Sequence, residues 1–198
     1  MSKQRSIDRN VLQYLIPQSF SIISDDCWGM ACYSFFGYRY DSPFIGLVVE
    51  SNCYLDFLLR FLAREPPELE FIETEREYPV ALCLGAKLGF VHDESGEIAK
   101  EKFEQRYERI NWNRLLVKID FGKPGYSIED MERWNKMELP NVLALYSSTT
   151  EIPSSGLHGG ILVPEWCLNG YEMFALSVKH FQLPTWLRTG EILPSEGR

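Results

Sequence analysis

Phe20-Ser-Ile-Ile-Ser-Asp-Asp-Cys-Trp-Gly29 is the stretch on which the fold turns. Its apolar run stops at two carboxylates, a thiol, an indole and a glycine, and a second apolar segment, Met30 to Phe36, follows at once. That order predicts a strand, a tight turn and a helix. Asp25 or Asp26 is placed to cap the helix, because a carboxylate there accepts orphan backbone N–H groups and meets the positive end of the dipole. Gly37 suits the residue just past the helix end, where a left-handed conformation is common. In an open α/β sheet, the turn after the carboxyl end of a strand is also where ligands bind.

Working outward, Phe44 to Val49 is a continuous apolar run ending at Glu50, the pattern of a strand covered on both faces in a parallel sheet. Ser51 or Asn52 then caps a buried helix, Tyr54 to Arg64, closed by Pro66-Pro67. Leu69 to Ile72 reads as a strand in a heavily acidic segment. Tyr78 to Leu84 and Leu88 to Val91 are strands so close together that a hairpin or a bent strand is expected, which makes the sheet mixed. Ser95 caps a helix from Glu97 to Ile110, with Ala99, Phe103, Tyr107 and Ile110 on one face.

Arg114 to Asp120 alternates as a strand, Leu115, Val117 and Ile119 facing one way and Leu116, Lys118 and Asp120 the other. Ser127 to Asp130 has the form of a capping box opening a helix to Met137, and Val142 to Tyr146 is a further strand. Ser147 to Gly160 is polar and glycine-rich, and Trp166 to Phe181 reads as a final helix before an aromatic, amphipathic tail. Near the start, Val11 to Ile16 reads as a short helix or strand ended by Pro17. The alternation predicts an α/β, Rossmann-like three-layer sandwich with a mostly parallel, mixed sheet. It also predicts one domain over residues 1–198, loop-rich from about residue 147.

A formal net charge of −8 argues against a broad nucleic-acid or anionic-membrane surface, since either needs a basic field. Five cysteines with no Cys-x-x-Cys pair fit a reducing compartment better than a disulfide framework. The N-terminal apolar patch is too short for a signal core, and Tyr54 to Ala63, with Asp56 and Arg60 inside it, is no bilayer span. A cytoplasmic setting is expected, with peripheral attachment to a membrane assembly left open.

Several residues qualify for chemistry, each beside a plainer role. Cys27 at a helix N-terminus is a candidate nucleophile, although Asp25 and Asp26 oppose its ionisation, and a buried structural cysteine is the plainer account. Asp25 and Asp26 fit a sugar-hydroxyl or metal-bridged diphosphate site, or simple capping; no metal-ligand motif supports a metal. His92, opening His92-Asp93-Glu94 after a strand, suits acid–base work or a polar turn. Lys118 and Asp120 either reach a common ligand or form an edge-strand face meeting solvent. The Arg106 to Arg114 run reads as a solvated helix face, since Glu104 and Glu108 interleave with it.

Ser24-Asp-Asp-Cys-Trp-Gly29, Asp41-Ser-Pro-Phe-Ile-Gly-Leu47, Tyr78-Pro-Val80 and Arg109-Ile-Asn-Trp112 together resemble a bacterial family of unknown function whose members are commonly labelled exopolysaccharide-biosynthesis proteins. The shared order runs from about Ser21 to Tyr146. The resemblance implies a Rossmann-like fold and a role near surface-polysaccharide assembly. On that basis the expected activity is transfer of a sugar or substituent from an activated donor to a glycan precursor. Asp26 would activate an acceptor hydroxyl and His92 would serve as acid or base. Asp25, Trp28, Gly29, Lys118 and Asp120 would bind substrate, Trp28 as a platform for a sugar ring and Gly29 by close backbone approach. A Cys27-dependent acyltransferase and a non-catalytic docking module are the alternatives, and the cofactor is open.

Overall fold

The computed structural model describes residue 16 and residues 19–195, so nearly all of the element expected at Val11 to Ile16 lies outside the described residues. The first half of the chain runs β1 (Ser21–Ser24), α1 (Trp28–Phe36), β2 (Val48–Val49), α2 (Ser51–Leu62), β3 (Glu70–Ile72), β4 (Val80–Cys83) and β5 (Ala86–Gly89). The second half runs α3 (Gly96–Tyr107), a 3-10 turn (Trp112–Arg114), β6 (Leu115–Asp120), α4 (Ile128–Lys136), β7 (Val142–Tyr146), β8 (Gly160–Leu162), α5 (Gly170–Ser177) and α6 (Leu183–Thr189). The protein is an α/β protein.

The strands divide into two sheets rather than forming the single mixed sheet expected. One is wholly parallel in the order β1-β6-β7-β8, and the other is wholly antiparallel in the order β2-β5-β4-β3. The β4–β5 hairpin forms the centre of the second. Leu84 and Gly85 both take positive φ, 49° and 84°, between the paired Cys83 and Ala86. That is the two-residue turn whose twist matches a tight antiparallel pair.

Side-chain alternation in the parallel sheet feeds two hydrophobic clusters. Ile23, Val117, Ile119 and Val142 join one with α2, α3, α4 and the inner face of the antiparallel sheet. Ile22, Leu116, Leu143 and Leu145 join the other with α1, α5 and α6. Burying a large apolar side chain stabilises by about 2 kcal/mol, so the stripe Tyr54, Leu55, Phe57, Leu58 and Phe61 explains why α2 stays docked. Leu59 on its far side is 45% exposed, so this helix is amphipathic, with one face buried and the other open, rather than buried throughout as expected.

Phe44 to Val49 is not a parallel strand; only Val48 and Val49 are extended, pairing antiparallel with β5. Gly46 turns the chain at φ +75°, and the Ser42 hydroxyl donates to the Ile22 carbonyl at 2.5 Å. The segment therefore runs as a strap beside β1. Its apolarity comes from serving both cores, Phe44 and Leu47 entering one cluster and Ile45 the other. The C-terminal expectation also changes: the helix is shorter, Gly170–Ser177, and a second one, Leu183–Thr189, follows. Helix starts are close to expectation, Ser95 accepting from Ile98 N and Ser127 forming a capping box with Asp130. Among the described residues, no helix is long and apolar enough to cross a membrane.

Candidate functional site

The site grows from the end of β1. Asp25 and Asp26 turn back toward the sheet and meet two lysines delivered by β6 and the loop after it. Lys118, fully buried, places Nζ 3.0 Å from Asp25 Oδ1 and 2.8 Å from Asp26 Oδ2. Lys123 Nζ reaches Oδ2 of both aspartates at 2.7 Å. Burial by itself would raise the Asp26 carboxyl, but both ammonium groups and their hydrogen bonds overcome it and hold it well below the usual carboxylate range. Lys118 is the mirror case: burial pulls its pKa down, and Asp25, Asp26 and Asp120 together hold it above the ordinary lysine value. Because β6 lies between β1 and β7, Lys118 and Asp120 are not on a solvent-facing edge.

Asp26 also caps α1. Its Oδ1 accepts from Trp28 N at 2.9 Å and from the Ser24 hydroxyl at 3.1 Å. Both oxygens are thus engaged and the group stays ionised, so the role of hydroxyl-activating base does not fit it; it holds the turn. Asp120 lies deeper. Its Oδ1 accepts from Gly122 N at 2.9 Å and Trp166 Nε1 at 2.8 Å, while Oδ2 is buried without a partner. Burial pushes this carboxyl up to about 6, Lys118 pulling against it and Asp25 adding to it.

Above this ion-paired floor opens a cavity of about 570 Å3. Asp25, Asp26, Cys27, His92 and Lys123 supply its polar surface, Met30, Val48, Val49 and Val91 its apolar walls, and Leu168 to Tyr171 its rim. Cys27 Sγ lies 3.7 Å from His92 Nε2. Burial, then the Asp26 charge, pushes the Cys27 thiol up to about 11 despite the two lysines. His92 is seated by Gly46, whose backbone has positive φ and where an added Cβ would fall 3.3 Å from His92 Cδ2.

The structure thus brings Asp25, Asp26, Cys27 and His92 to one opening, and sets Lys118 and Asp120 beneath it as support. Trp28 is elsewhere. Its indole is fully buried, donates from Nε1 to the Ser177 hydroxyl at 2.9 Å, and packs edge-on against Phe174 and Trp186. It is a core anchor between α1 and α5, not a sugar platform. Gly29 faces β1, where a Cβ would touch Ile22 and Ser24 at 3.4 Å, so it serves close helix–strand packing rather than approach to a donor. Among the described residues no three His, Cys, Asp or Glu side chains converge as a metal-binding set.

Sequence reasoning missed Lys123 and the Leu168 to Tyr171 rim. Lys123 had a weak signal, its place just after a strand end. The rim had none, because it reaches the cavity only through the docking of α5, where Gly170 passes so close that a Cβ would lie 2.7 Å from Asp26 Cγ. The segments around Asp41 and Arg109 hold β1 in place. Ser21 accepts from Asn111 N at 2.9 Å and donates to the Asp41 carbonyl, and Arg109 pairs with Asp41 at 3.4 Å.

Fold and site together define an α/β protein with an ion-paired aspartate turn and a Cys–His cavity at the carboxyl end of a parallel strand. The family described as a domain of unknown function (DUF1919) matches residues 1–157, and the chain belongs to it. A Haemophilus influenzae protein described as uncharacterized is 26% identical over 137 residues, which cover 68% of this chain and 65% of that protein. The family match takes in Asp25, Asp26, Cys27, His92, Lys118 and Lys123, whereas the Leu168 to Tyr171 rim lies beyond it.

Proposed function

We propose that the protein transfers a sugar or other substituent from an activated donor to a glycan precursor in exopolysaccharide or capsule assembly, with the cavity at the end of β1 as the transfer site. The observation that carries this reading is the Cys27–His92 contact of 3.7 Å at the mouth of a cavity of about 570 Å3. Ligand cavities commonly run from about 300 to 1,000 Å3, and in open α/β sheets they lie beyond the carboxyl ends of strands. The parallel sheet, with a hydrophobic cluster on each face, is read as a Rossmann-like three-layer platform within one domain. The polysaccharide context rests on the resemblance of the Ser24–Gly29 and Arg109–Trp112 motifs.

In this scheme His92 is the acid–base group, since it is exposed and touches the cavity. Asp26 positions the turn. Tyr171, 49% exposed on the rim, takes the ring-stacking role that Trp28 cannot fill. A cytoplasmic protein docking on membrane-associated polysaccharide machinery would have both donor and precursor within reach. Calorimetry with nucleotide sugars and oligosaccharides, with and without magnesium, tests the reading. Binding should weaken roughly tenfold in Tyr171→Ala, the loss of about 1.4 kcal/mol of stacking. No heat with any member of the panel contradicts transfer and favours a docking module.

A further inference from the structure

We propose that Cys27 is an acyl-accepting nucleophile and that the cavity takes the acyl group of an acyl thioester. This deepens the reading of the cavity as a transfer site, and rests on it, by naming the donor. Three observations converge. The sulfur and an imidazole nitrogen are 3.7 Å apart at an open cavity, not in the core. The walls beyond them, Met30, Val48, Val49, Val91 and Leu168, are apolar and suit an alkyl or acyl group. Among the described residues lining the cavity, Lys123 is the fixed cation, and both aspartates already hold it at 2.7 Å. A phosphoryl group entering here would face Asp25 and Asp26 and would need an added divalent cation, such as the magnesium that accompanies a nucleotide sugar. An uncharged carbonyl meets no such penalty.

The chemistry balances without an added oxidant or reductant. Because the resting thiol keeps its proton at neutral pH, His92 Nε2 takes it as Sγ attacks the thioester carbonyl. A new carbon–sulfur bond forms at Cys27, the donor's carbon–sulfur bond breaks, and the leaving sulfur receives the proton from His92. In the second half, an acceptor hydroxyl attacks the Cys27 thioester and passes its proton to His92. Cys27 leaves as sulfur and takes that proton back, which regenerates the thiol and completes an ester. Gly46 is a positioning residue in this scheme, because a Cβ there would fall 3.3 Å from His92 Cδ2 and press on the imidazole.

The test is intact-mass and peptide mapping after incubation of the full chain with acetyl, butyryl and octanoyl thioesters of N-acetylcysteamine. Cys53 and Cys167, also half-buried free thiols, are internal controls. One acyl group should accumulate on Cys27 ahead of both controls, vanish in Cys27→Ser, and form roughly 10²–10⁴-fold more slowly in His92→Asn. Thermal melting of each variant checks that the fold is intact. No adduct, an adduct spread evenly over the three cysteines, or an undiminished rate in His92→Asn would overturn the proposal. Oligosaccharide calorimetry on the same samples separates the two readings. Acylation without glycan binding supports the nucleophile and removes the glycan acceptor; glycan binding without acylation removes the nucleophile alone.

Discussion

Lys118 decides the electrostatics of the turn. It has no exposure, and it binds two carboxylates whose own burial would otherwise be costly. Lys118→Met keeps the volume and removes the charge, leaving Asp25 and Asp26 with Lys123 alone. Urea denaturation should show a loss of about 3–5 kcal/mol, the usual cost of breaking a buried pair from one side. Asp120 gives an opposite signature. Its folded pKa is raised from 3.8 to about 6, so its stabilising contribution is complete below 3.8 and lost as pH rises through about 6. The loss is on the order of 3 kcal/mol for a shift of that size. Asp26, with a lowered pKa, contributes above the ordinary carboxylate range and loses that contribution only as pH falls below it. Asp120→Asn should therefore flatten the decline in stability between pH 4 and 6 while leaving the acid limb unchanged. An unaltered decline would place the titrating group elsewhere. At this scale the sequence was informative for polar residues after strands, such as Cys27 and His92. It misled for Trp28, because a bulky aromatic beside a glycine reads the same whether it lines a cleft or fills a core.

Elements were legible where local chemistry specifies them. Ser127 and Asp130 reciprocate as cap and box, and Ser127→Ala should cost about 1 kcal/mol of stability in thermal melts. A loss confined to α4 by hydrogen exchange would identify the cap as its source. The apolar run Phe44 to Val49 failed as a strand for a reason that periodicity cannot reveal. A strap that touches two cores and a strand covered on both faces present the same unbroken apolar sequence. Gly46 was the local sign of a break, and its φ of +75° now links this strap to His92. Gly46→Ala should slow modification at the Cys27–His92 pair by displacing the imidazole. It should leave Cys53 alkylation unchanged, which a general loss of structure would not.

For the molecule as a whole, the α/β class could be read from alternating strand and helix signals, but the separation into two sheets could not. Which strands pair is a matter of long-range contacts, such as β1 with β6 across more than ninety residues, and these leave no local trace. The convergence of Asp25, Asp26, Lys118 and Lys123 has the same origin. Nor could the cavity's rim be foreseen, since Leu168 to Tyr171 meet it only through the docking of α5. The most direct test of the transfer site is protection of Cys27 from iodoacetamide, followed by peptide mapping, in the presence and absence of nucleotide sugars and surface-glycan oligosaccharides. Alkylation of Cys27 should fall with at least one of these ligands while Cys53 is labelled at its unliganded rate. Equal labelling of Cys27 with and without every ligand would contradict a substrate cavity at the end of β1.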